Sequence, residues 1–228
     1  FQDLPGGQGL SKLRPPWVTG REEHDTQADV FEQRQTPSIL GDGLIEELDE
    51  AVILANEDPL DADGDGIRGV ARKLVIEGKT ELGRFGWKAQ VPTLADFVRD
   101  ALGGELGLTS PADGRGFALA SDADAHADPE ILTSQADDMA YFLSNLAAPE
   151  RVGSLDPEVL LGELVFAEVG CAKCHVPELP GPNGPVPLYS DLLLHDVLPS
   201  DFRGMSEPDA PSGSYRTPPL WGIRTTAP

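Results

Sequence analysis

Cysteine, histidine and basic residues are all scarce in this chain. Its 228 residues include two Cys and four His, and 17 Lys and Arg stand against 39 Asp and Glu, for a formal charge of −22. Such a surface repels nucleic acid and anionic lipid, and it suits cationic partners or a salty environment. Long apolar runs are missing too. Glu163 and Glu168 interrupt the best candidate, so no membrane-spanning segment is read. There is no initiator Met and no signal peptide; the chain begins at Phe1 and reads as a processed or clipped form. What the chain has in quantity is Gly (25) and Pro (21), which predicts long loops. Its length suits one large or two small domains with a sizeable core.

Both cysteines fall in one stretch, Cys171-Ala172-Lys173-Cys174-His175. C-x-x-C-H reads as a covalent c-type haem attachment site. Two thiols at this spacing form thioethers to one edge of a porphyrin, and the adjacent imidazole becomes the proximal iron ligand. A zinc site wants four ligands, and no second Cys/His pair is present. A thioredoxin-like pair wants a βαβ setting, which the flanks lack. A simple disulfide is the remaining alternative. Haem c is therefore the expected cofactor. Its attachment takes place outside the cytoplasm, so the expected location is periplasmic or extracellular.

Residues 1–26 are Gly/Pro-rich and read as an extended arm. A short helix is expected through Leu44, Ile45, Leu48, Val52 and Ile53. Asp61-Ala62-Asp63-Gly64-Asp65-Gly66-Ile67 resembles the first half of an EF-hand-type loop, with Asp61, Asp63 and Asp65 around one Ca²⁺. The twelfth position is Arg72 rather than Glu, so further ligands would come from Glu57 or Asp58. Residues 83–89 form an aromatic and basic knot in an acidic chain. Thr93 to Asp96 reads as a capping box that opens a helix. Residues 121–130 read as a surface loop. Residues 131–147 predict an amphipathic helix with Ile131, Gln135, Met139, Phe142, Leu143 and Leu146 near one face. Asp156-Pro157 starts a helix that delivers Cys171. Thr36-Pro37-Ser38-Ile39-Leu40-Gly41 and Thr217-Pro218-Pro219-Leu220-Trp221-Gly222 share a pattern, which predicts two related halves.

Together these strings resemble the di-haem oxidoreductases, a peroxidase-like family also called thiol oxidoreductases and distantly similar to bacterial di-haem cytochrome c peroxidases and MauG. The residues carrying the resemblance are Arg34 to Glu46, Asp61 to Ile67, Gly83 to Ala89, Gly170 to His175, Asp191 to Asp196 and Arg216 to Gly222. The resemblance implies a mainly α fold with long loops and two cytochrome c-like halves. The first half would span residues 27–150, without a haem motif but with the calcium-type loop. The second would be an incomplete C-terminal cytochrome c domain at residues 151–228. The resemblance also implies Trp87 as an electron relay and Glu105 as the acid that helps cleave peroxide. His195 or Met205 is the candidate sixth haem ligand within the chain, although the family pattern points beyond Pro228.

The expected function is a c-type haem redox protein that relays electrons for peroxide reduction or substrate oxidation. The alternatives are a mono-haem electron-transfer cytochrome and a calcium-stabilised haem module of a larger assembly. The expected partners are a redox protein with a cationic face and another haem-bearing chain or segment.

Overall fold

The computed structural model describes residues 30, 32, 34, 37–199 and 201–225. The arm expected at residues 1–26 lies outside them. Five α-helices occur among the described residues: α1 (Asp42–Glu46), α2 (Glu50–Leu54), α3 (Leu94–Ala101), α4 (Thr133–Ser144) and α5 (Pro157–Glu168). Three two-stranded antiparallel sheets accompany them. They pair β1 (Lys73–Ile76) with β2 (Lys79–Leu82), β3 (Leu179–Gly181) with β4 (Gly184–Val186), and β5 (Leu194–Asp196) with β6 (Ser214–Arg216).

This corrects the expected fold class. The chain is not mainly α, and it is not built as two cytochrome c-like halves. The helices are short, and small sheets and irregular segments join them. One core cluster draws Ile45, Ile53, Leu82, Phe85 and Leu94 together with Leu179, Leu188, Leu193 and Trp221. Residues far apart in sequence therefore share a single apolar interior. The internal echo of Thr-Pro strings marks no repeated unit here, and Thr36 lies outside the described residues.

The local causes are legible residue by residue. The single helix expected over residues 44–53 is two. Asp49 accepts a hydrogen bond from Ala51 N at 2.9 Å and so caps α2. The buried Arg84 guanidinium lies 2.6–3.0 Å from the carbonyls of Ile45, Glu46 and Leu48, which satisfies the open end of α1. Lys88, fully buried, donates to the carbonyls of Pro211 and Ser214, each at 2.7 Å. The basic knot of residues 83–89 is thus an internal strut. The β1–β2 hairpin turns on Glu77 and Gly78, both at positive φ (50° and 76°), as a two-residue type I′ loop requires.

Helix α4 sits where expected, but its buried face differs. Ala136 is its buried residue, and Ala140 and Leu143 pack beside it. Met139 and Phe142 are exposed at 43% and 61%. Small residues win this face because α3 packs closely against it. Gly43 of α1 meets the Ser144 carbonyl so tightly that a Cβ there would collide with backbone.

Candidate haem-attachment site

Helix α5 begins at Asp156 with Pro157 at its first position, where the missing N–H costs nothing. It ends as Gly170 adopts φ 90°, a left-handed stop that glycine alone takes freely. One tight turn, Cys171–Lys173, follows. The His175 amide donates to the Cys171 carbonyl at 3.0 Å, which folds the whole C-x-x-C-H stretch into one loop. Both thiols are unpaired, with Cys171 exposed and Cys174 half-buried.

The His175 ring is oriented by its own chain. Its Nδ1 lies 2.8 Å from the Tyr189 carbonyl. A carbonyl only accepts, so Nδ1 carries the proton, and Nε2 is the atom left to bind iron. Phe166 of α5 meets the imidazole edge-on, with ring centroids 6.5 Å apart. Two free thiols, an imidazole with one nitrogen fixed, and an apolar helix that buries none of its residues form the donor set that a covalently attached haem requires. The residues fit the group.

His195 takes a structural position beside this loop. It is buried and donates from Nε2 to Asp191 Oδ2 at 2.7 Å, while Nδ1 stands 3.6 Å from Cys174 Sγ. Burial opposes its protonation, but Asp191 and then Cys174 outweigh burial and push its pKa up to about 10. Both ring nitrogens thus have partners within the protein, Asp191 on one side and Cys174 on the other. Met205, half-buried, lies in the segment before β6, where its amide donates to Glu32 Oε2 at 2.8 Å.

Trp87 is half-buried, and its backbone carbonyl accepts from the Arg216 amide at 2.9 Å. Arg216 ends β6, whose Tyr215 faces His195 of β5. Glu105 is half-buried in the π-helical turn Leu102–Leu106 that follows α3. It lines a cavity of about 240 Å³ with Phe97, Val98, Leu102, Met139 and Leu143. None of the lining residues belongs to the segment around Cys171. Asp100 adds a feature the sequence did not single out. Burial, then Glu207 and Glu105, push its carboxyl up to about 6. Its spacing from Glu105 on α3 carries no recognisable signal.

The acidic loop gathers a different trio from the one expected. Carboxylate oxygens of Asp58, Asp61 and Asp63 lie within 4.8 Å of one another. Asp65 turns away to pair with Lys173, between the two cysteines, at 3.0 Å. Glu57 is engaged elsewhere, accepting from Ala71 N at 3.1 Å.

The loop geometry and the donor set are those of a haem-dependent redox protein. The profile of one family, described as Di-haem oxidoreductase, putative peroxidase, matches residues 22–228, and the chain belongs to that family. Its name carries haem as the cofactor and oxidoreduction as the chemistry. No curated protein and no solved structure matches the chain.

Proposed function

We propose that this chain is a c-type haem redox protein that passes electrons through a haem held at Cys171, Cys174 and His175 for peroxide reduction or substrate oxidation. The observation that carries this is the His175 Nδ1 contact with the Tyr189 carbonyl at 2.8 Å. It fixes the tautomer and leaves Nε2 for iron. The haem, when bound, supplies one-electron transfer and activation of peroxide. Cys171 and Cys174 anchor its edge, while Phe166 and the apolar face of α5 exclude water from the proximal side. His195, held by Asp191, packs beside the Cys174 anchor. Trp87 relays electrons toward the haem. Glu105, in a cavity that the Cys171 segment does not line, moves a proton between the two oxygens of peroxide at the second haem.

The wider reading has four further parts. The Asp58, Asp61 and Asp63 trio binds Ca²⁺. The electron-exchange partner presents a cationic face to the acidic surface. A second haem comes from another segment or chain. The protein works in the periplasm or outside the cell.

Intact mass and an alkaline pyridine spectrum test the centre of this reading. The expected result is covalent haem on the wild-type chain, and reoxidation of the reduced haem by peroxide. Haem without any response to peroxide points to the second reading, a mono-haem electron carrier. A wild-type chain matured with haem-attachment machinery that carries no haem refutes both.

A further inference from the structure

We infer that Tyr189, Glu163 and Arg151 form a clamp that holds the Tyr189 carbonyl on His175 and thereby sets the reduction potential of the haem, an inference that rests on the haem reading above. Tyr189 stands at φ 53°. The left-handed region costs a non-glycine residue on the order of 1 kcal/mol, so the conformation persists only where surrounding contacts fix it.

Those contacts come from α5 and the segment before it. The Tyr189 hydroxyl donates to Glu163 Oε1 at 3.2 Å. Arg151 pairs with the same carboxylate, and its guanidinium lies 5.7 Å from the Tyr189 ring centroid. Phe166, three residues after Glu163 and hence on the same helical face, meets the Tyr189 ring edge-on at 5.7 Å. The Tyr189 amide is tied to the Pro177 carbonyl at 3.2 Å. The Arg151–Glu163 pair is partly exposed, with side chains at 39% and 37%, and such pairs contribute little to stability. Its consequence here is positional. It keeps the carboxylate where the phenol needs it, and the phenol keeps the carbonyl where the imidazole needs it.

A carbonyl held on Nδ1–H makes the imidazole a stronger electron donor. A stronger donor favours ferric iron and lowers the potential. Releasing the clamp weakens donation and raises the potential. Tyr189, Glu163 and Arg151 are positioning residues, acting on iron only through His175.

The test uses the haem-loaded wild-type chain, Tyr189→Phe, Glu163→Ala and the double variant. Midpoint potential, melting temperature and intact mass are measured for each. Tyr189→Phe changes no charge, and it is expected to raise the potential while covalent haem stays complete. In the Glu163→Ala background it is expected to add no further shift, because either change frees the same carbonyl. Glu163→Ala, at a partly exposed helix position, carries the upward shift on its own should Tyr189→Phe weaken the fold. A potential equal to wild type in both single variants overturns the clamp alone. So does a Tyr189→Phe shift of equal size in both backgrounds. A wild-type chain that binds no haem overturns the clamp and the haem reading together.

Discussion

The two stretches that flank the C-x-x-C-H loop are built in opposite ways. The segment after it, from Leu188 to His195, is almost wholly buried; Leu188 and Leu193 are fully inaccessible, and Ser190, Asp191 and His195 have partners inside the protein. Helix α5, before it, is also apolar, with three Leu, two Val and a Phe, yet it buries none of its residues. Leu164 is 69% exposed. Hydrophobic content therefore does not decide burial here. The downstream segment is satisfied by protein alone, whereas α5 packs Phe166 on His175 and Tyr189 but leaves Leu160, Leu161, Leu164 and Val165 exposed. A flat apolar cofactor held by the adjoining cysteines is a natural cover for such a helix.

The sharpest way to break this contrast is at the loop itself. His175→Ala is expected to abolish normal iron ligation, and Cys171→Ala or Cys174→Ala to weaken covalent attachment. An absorption spectrum unchanged in the His175 variant would contradict the assignment. The next largest effect separates the two flanks. In the haem-free chain, Leu193→Ala should destabilise by about 2–5 kcal/mol, and Leu164→Ala by no more than about 0.5 kcal/mol. Denaturant titration of both variants decides it; equal costs would erase the distinction. Haem loading should then make Leu164→Ala costlier.

Calcium probes the loop tied to the C-x-x-C-H turn through Asp65 and Lys173. At a hundredfold excess over its dissociation constant, Ca²⁺ should add about 2.7 kcal/mol, read as a higher melting temperature that Asp61→Asn removes. A chelator that leaves the wild-type melting temperature unmoved would reduce the loop to a turn.

The smallest effect lies at Asp100, away from both flanks. Its carboxyl ordinarily titrates near 3.8 and is pushed up to about 6 in the fold. The folded state therefore holds this proton more tightly than the unfolded chain. Its contribution is most favourable below pH 3.8 and is lost as pH rises through 6. Asp100→Asn should stabilise by on the order of 2 kcal/mol at pH 7, with the gain vanishing below pH 4. A gain that is the same at both pH values would show that the burial of its charge is not the cause.

Much of the site was legible because its chemistry lies in contiguous residues. Cys171, Cys174 and His175 declare themselves by spacing, and the Asp156-Pro157 start and Gly170 stop of α5 follow from local backbone rules. Tyr189 was illegible for a physical reason. It acts on His175 through its carbonyl, which every residue has. The regrouping of Asp58 with Asp61 and Asp63 follows from Lys173 drawing Asp65 aside across the fold, a contact no local pattern encodes. The fold class failed on similar grounds. Helical periodicity over residues 44–53 was sound, but Asp49 and Arg84 stabilise a break inside it. The β1–β2 hairpin lies in residues 73–82, where no motif stood out, because its turn depends on Glu77 taking a positive φ beside Gly78.

The bare surface of α5 also bears on how long an unfinished molecule survives. Holdases and proteases recognise extended apolar stretches of the kind Leu160, Leu161, Leu164 and Val165 present. A chain that keeps these residues uncovered advertises its own immaturity, and a chain that covers them withdraws the signal. On the haem reading proposed above, covering α5 would remove from solvent the apolar surface that these residues expose in the haem-free chain.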